Sequence, residues 1–468
     1  MWLPLGAWHR CSEHMAHLNN DERLQELATM PVGRLLWKYS VPAVVGIMVM
    51  SIYNVIDRIF IGQGVGPDAI AGLAITFPVM NVSAAFGVLI GVGAGSRMSI
   101  VLGQSNRRGA EEILGNSIVM TLIFGTFYIG IFALFMEPIL RLFGASDTSL
   151  PYARDFMMWI LPGLLFNNLC YSFNNLIRAT GYPTKAMYTM FIGAGLNVIL
   201  APIFIFVLDW GIKGAAIATD ISMGVSTAFV MQHFFDRKSQ IHFTSGIYSL
   251  DWRVLKPIMA IGAAPCIVNT AGCVINAVIN NTVYDYGGDS AVAAIGIFTA
   301  TTGLIISFVI GVCQGMQPIV GYNYGAKHFD RLKRTFWLTS AVCTLVCLLF
   351  SISCQVVPRP ISRMFTTDLH LLAASEHALR LTTWMFWVVG FQVVITNFFQ
   401  SLGEATKSIL MSLSRQVFFL LPLLFTLPLM WQLEGVWLSF PISDMFATLV
   451  GIVMLIIEMR KINRLNTQ

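Results

Sequence analysis

Charge is what this sequence has least of. Asp, Glu, Lys and Arg make up 11% of its 468 residues, against about 25% in a soluble chain, too little to clothe a surface facing water. A water-soluble enzyme is excluded. A nucleotide-driven pump is excluded with it, because no G-x-x-x-x-G-K-[ST] run occurs and no polar domain is available to carry one. H-E-x-x-H and C-x-x-C are also missing. Seven of the eight cysteines lie in or beside apolar stretches, as small buried thiols rather than a disulfide framework or zinc site. A formal net charge of +5 is too small and too scattered to be a nucleic-acid footprint.

What fills the chain instead is hydrocarbon, 56% of its residues being hydrophobic. About 20 apolar residues cross the ~30 Å of a bilayer core as helix, and such windows fall at 39–62, 69–103, 115–140, 151–177, 185–208, 212–236, 253–284, 290–322, 333–356, 373–400, 407–430 and 434–458. The reading is an all-α integral membrane protein with twelve transmembrane helices. With the N-terminus inside, 20 of the 29 Lys and Arg fall on the cytosolic side, as the positive-inside bias requires. Residues 1–35 have no basic-then-apolar order of a cleaved signal and read as a cytosolic extension. Both termini are then cytosolic in a cell (inner) membrane.

The chain is also a duplication. Ala179–Lys185 lines up with Ser401–Lys407, Asn54 with Asn276, Ala69–Ala71 with Ala291–Ala293, and Ile90–Val92 with Ile310–Val312, all at nearly the same offset, a little under half the chain. Six spans separate the copies, so both have the same orientation and form parallel repeats about an axis along the membrane normal. The expected organisation is a six-helix lobe over 36–236, a cytosolic linker at 237–252, a second six-helix lobe over 253–459 and a tail at 460–468.

Ionisable groups inside spans cost at least about 2.5 kcal/mol to insert and are functional candidates by default. By helical rise, Asp57 lies about 8 Å from the outer end of its span, Thr219 and Asp220 about 10–12 Å, and Asn197 about 16 Å. Three helices thus offer oxygens at compatible depths in one half, although Asp220 leaves its helix about 100° away from Thr219. In the other half Arg415 and Asp444 are placed to meet near mid-membrane. A structural ion pair explains them best, each offsetting the other's desolvation; holding substrate is the second reading. Asp57 aligns with Ile279, so the copies share a packing plan but not their chemistry. Pro78, Pro162, Pro265, Pro318 and Pro422 interrupt spans and are candidate bends.

Four stretches carry a family resemblance: Asn54–Gly62, Gly181–Lys185 through Asn197–Leu200, Gly214–Thr219, and Gly315–Asn323. Together, in this order and inside a duplicated chain, they resemble the multidrug and toxic compound extrusion (MATE) family. The resemblance implies two bundles around a V-shaped central cleft and a secondary antiporter that exports amphipathic, often cationic compounds in exchange for H+ or Na+. It implies no cofactor, a small-molecule substrate, the lipid bilayer as surroundings and a monomer. It places ion coupling on Asp57, Asn197 and Thr219, also the candidate Na+ ligands, with Asp220 as a candidate substitute for a family aspartate that here is Ala201. A lone carboxylate among apolar neighbours has its charged form disfavoured, which favours H+. A flippase for lipid-linked saccharide of the same superfamily is the alternative function, and an intramembrane enzyme the weakest.

Overall fold

The computed structural model describes residues 20–236, 239–244 and 246–466; most of the expected N-terminal extension, with Cys11, and parts of the expected linker lie outside the described residues. The six crossings of the first half are Val32–Gly64, Pro67–Gly103, Arg107–Leu134, Leu150–Ala179, Pro183–Pro202 continuing through a wide turn at Ile203–Val207, and Gly211–Phe235. In the second half, Trp252–Gly325 is 74 residues long. A straight helix of that length would run about 110 Å, several times the bilayer core. It is two spans joined at Gly288, whose φ of 62° and ψ of −162° belong to a region open essentially to glycine alone. Phe329–Val356 is the ninth span, and Leu369–Thr383 with Phe386–Ser401, bent by 51°, the tenth. The remaining stretch, Ala405–Asn466, divides at Trp431 and Gln432. Twelve crossings result among the described residues, close to the hydropathy windows.

Of the five expected bends, Pro78, Pro162, Pro265 and Pro318 sit inside helices. Pro422 follows a wide-turn segment at Ser414–Leu420, as Pro202 precedes the one at Ile203–Val207. A proline lacks the N–H that closes a regular turn, so backbone spacing relaxes beside it.

The duplication is written into the backbone. Gly66 and Gly288 both have positive φ, as do Gly181 and Gly403, and so do Ser105 and Lys327; the interval in sequence is identical for all three pairs. The helix contacts repeat in the same way. A Cβ on Gly103 would lie 2.1 Å from the carbonyl oxygen of Tyr322, and one on Gly325 would lie 2.0 Å from that of Ile100. These are the same contact viewed from the two halves. The second and eighth spans therefore cross backbone on backbone, which membrane helices achieve with small residues because lipid gives them no hydrophobic push together.

Among the described residues, three hydrophobic cores reveal the shape. One draws on both halves at the face that carries the termini, including Leu35, Met98, Phe173, Val320, Phe336, Phe398 and Ile462. Toward the opposite face the cores are separate: Ile61, Tyr128, Phe156 and Ile205 in the first half, Ile275, Phe298, Leu424 and Trp437 in the second. The lobes are joined at the terminal face and diverge toward the other, forming a V.

Polar contacts fasten the joined end. Ser40 Oγ donates to the Val312 carbonyl at 3.3 Å, and Gln317 Nε2 donates to Ser96 Oγ and, at 3.3 Å, to the Val92 carbonyl. A short helix, Asn20–Thr29, is held to the first half by a Glu26–Lys38 ion pair at 2.5 Å and by Arg23 over the Tyr182 ring. Its last carbonyls face the second half. Asn323 Nδ2 donates to the Leu27 carbonyl at 3.1 Å, while Arg331 Nη2 donates to Leu27 at 3.2 Å and Met30 at 2.6 Å. A helix C-terminus leaves such carbonyls unpaired and partly negative, so an arginine from the other repeat caps it. The segment before the seventh span makes the converse contact, Asp251 N donating to Asn116 Oδ1 at 3.1 Å.

Candidate functional site

In the first half, the structure bonds two of the candidate side chains to each other and sets a third near them through a tyrosine. Asn197 is buried on the fifth span, and its Nδ2 donates to Thr219 Oγ1 on the sixth at 2.9 Å. Thr219 in turn donates to the Ala215 carbonyl at 3.0 Å, which fixes the hydroxyl. Tyr53, one turn before Asp57 on the first span and buried, sits beside both Asp57 and Thr219. Tyr53 thus links the first span to the Asn197–Thr219 pair. Sequence reasoning missed it because a tyrosine in a span is ordinary; its spacing of four from Asp57, one helical turn, was the available signal.

The cluster is short of donors. Asp57 Oδ1 and Asn197 Oδ1 are both buried and have no hydrogen-bond partner. Buried acceptors left unpaired are costly, and such oxygens are what a proton or a cation would satisfy. Arg58 points elsewhere, its guanidinium lying over the Phe77 ring at 5.5 Å.

Asp220 is turned to another interface. A Cβ on Gly163 of the fourth span would lie 1.8 Å from Asp220 Oδ1, so the carboxylate is seated where only glycine leaves room. Thr219 faces the fifth span while Asp220 faces the fourth, and Ala201 is wholly buried.

In the second half, Arg415 Nε donates to Asp444 Oδ1 at 2.6 Å. The Asp444 side chain is 3% exposed and that of Arg415 28%, so the carboxylate relies on this partner for its charge balance. Ile279, the counterpart of Asp57, is core.

Arg178 is a finding the sequence did not give. By hydropathy it belongs to a cytosolic loop; the fourth span instead runs to Ala179 and leaves Arg178 3% exposed. It reaches Gln314 Oε1 in the second half.

The comparisons with known proteins bear on the family and the fold. The MatE family model matches residues 42–203 and again 264–426, the two matches starting at the same interval as the backbone pairs above. The chain belongs to the MatE family. Among curated MatE-like relatives, the FAD transporter of Shewanella oneidensis is 26% identical, the alignment covering 90% of this chain and 93% of that protein. The multidrug export protein MepA of Staphylococcus aureus is 25% identical, over 92% and 95%. A solved structure of MATE in the bent conformation superposes with a TM-score of 0.89 at 23% identity, covering 95% of this chain and 99% of that one. A MOP superfamily transporter from Pyrococcus furiosus gives 0.87 at 24%, over 94% and 98%. This MatE chain is a multi-pass membrane transporter, not an enzyme, and its relatives support drug export.

Proposed function

We propose that this MatE protein is a secondary antiporter that exports amphipathic small molecules, cationic drugs and toxic metabolites among them, in exchange for H+ by alternating access. The observation that carries the reading is the set of buried, unpartnered oxygens Asp57 Oδ1, Asn197 Oδ1 and Asp220 Oδ1, in a lobe whose counterpart has Ile279 in place of Asp57. Asp57 is the proton carrier, Asn197 and Thr219 orient the pocket with Tyr53, and Asp220 is accessory. Protonation neutralises Asp57, removes the penalty of an unpaired buried charge and lets the first-half helices repack; release of the proton on the other side resets them. The excess of Lys and Arg supports a cell-membrane orientation with the joined, terminal face in the cytosol, which makes the V outward-open. Both walls of the cleft come from one chain, so a monomer suffices. A relative named as an FAD transporter and others named as multidrug exporters favour soluble amphipaths over lipid-linked saccharide. Arg415 and Asp444 hold the second lobe together.

The test is efflux from Na+-free proteoliposomes under an imposed pH gradient. Efflux there, lost in Asp57→Asn, supports H+ coupling. Efflux that appears only when Na+ is supplied refutes it and makes Asp57, Asn197 and Thr219 a cation site.

A further inference from the structure

Arg178 is a cation buried at the seam between the lobes. Its side chain is buried, and among the described residues no carboxylate lies within 4.0 Å of it. Its hydrogen bonds go to three neutral amide oxygens: Gln314 Oε1 across the seam, Asn174 Oδ1 at 2.9 Å and Asn175 Oδ1 at 3.4 Å. The two asparagines are themselves anchored, Asn174 Nδ2 donating to the Ala186 carbonyl at 2.7 Å and Asn175 Nδ2 to the Tyr171 carbonyl at 2.9 Å. The guanidinium is therefore held from its own lobe by Asn174 and Asn175 and bonded across the seam to Gln314 of the other lobe. The repeat shows that packing alone does not demand a cation here, because the equivalent position in the second copy is Gln400, which is also buried.

A buried ion without a counter-ion costs several kcal/mol, and an interface that needs only a polar latch is served by a neutral side chain, as at Gln317 and Ser96. An arginine differs in offering a planar fork that binds carboxylate or phosphate through paired hydrogen bonds. When the lobes part on the terminal face, Gln314 leaves with the second lobe and the fork is uncovered in the wall of the newly opened cleft, still aimed by Asn174 and Asn175.

We infer that Arg178 is an anion-recognition site on the loading side of the cleft, and that this chain accepts amphipathic substrates bearing a carboxylate or phosphate group. The inference rests on the alternating-access reading. The substrate's acid would replace Gln314 as partner of the guanidinium, so that loading and closure exchange one acceptor for another.

The test measures transport by purified protein in proteoliposomes, with flavin adenine dinucleotide as acidic probe and ethidium as cationic probe. The wild type is expected to move the acidic probe, and Arg178→Gln to raise its KM about ten- to a hundredfold, the worth of a charged hydrogen bond, with little change for ethidium. Arg178→Lys should recover part of the affinity. Gln314→Leu supplies the second arm: it breaks the latch but keeps the fork, so KM for the acidic probe should stay level or fall. If Arg178→Gln impairs both probes alike and Gln314→Leu copies it, Arg178 is a latch and the inference is overturned. A wild type that moves ethidium alone also overturns it while leaving the antiporter reading intact. If neither probe moves under any ion gradient, the antiporter reading falls and takes the inference with it.

Discussion

Removing one partner of the Arg415–Asp444 pair should have unequal consequences for its two members. Arg415→Ala strands a carboxylate whose side chain is 3% exposed, and an unpaired buried charge costs about 3–5 kcal/mol. Asp444→Ala strands an arginine that is 28% exposed, with a long arm that can carry its head toward water. Its loss is closer to that of one charged hydrogen bond, about 1.5–3 kcal/mol. Because the 2.6 Å contact disappears in either variant, Arg415→Ala/Asp444→Ala should cost less than the two single changes added, by about 0.5–3 kcal/mol for residues in contact. Equilibrium unfolding in mixed detergent micelles, followed by tryptophan fluorescence, measures all four states of the cycle. Asp444→Ala proving as costly as Arg415→Ala would refute the burial argument. Additivity within about 0.5 kcal/mol would show that the pair does not interact.

Asp57→Asn should abolish coupled export while leaving expression and insertion near normal, since removing an intramembrane charge eases insertion; wild-type drug resistance in cells carrying it would contradict the site. Asp220→Asn, on the Gly163 interface, should keep part of the pH-driven efflux, and a loss as complete as that of Asp57→Asn would put both acids in one site. Gly103→Ala places a Cβ 2.1 Å from the Tyr322 carbonyl oxygen, where backbone cannot yield. It should weaken the joined face and lengthen distances between spin labels across it, whereas unchanged distances would show that the seam adapts. Arg331→Ala removes the cap on the Asn20–Thr29 helix and should move the same distances in the same direction, with Arg334→Ala as the comparison.

Much of this protein follows from its sequence taken as a line. The scarcity of charge, the twelve apolar windows and the matches at a near-constant offset are properties of linear order, and the membrane class, span count and duplication follow because a bilayer selects on length and hydropathy. Asp57 stood out by the same logic, since an acid in a span is conspicuous without any partner being known.

Which side chains face one another is a different matter, and only the tertiary structure decides it. A soluble helix reveals its buried face because the other face is polar. A helix that meets apolar side chains inward and lipid outward is apolar all round, so its rotation about its own axis leaves almost no trace in the sequence. That is why Thr219 turning to Asn197 while Asp220 turns to Gly163, Tyr53 joining Asp57 to Thr219, and Arg178 reaching Gln314 instead of water all had to be seen. The opening of the V is likewise tertiary: the same twelve helices, with the same pattern, pack at either end, and the bonds that Ser40, Gln317, Asn323 and Arg331 each make to the opposite half place the joined end at the terminal face.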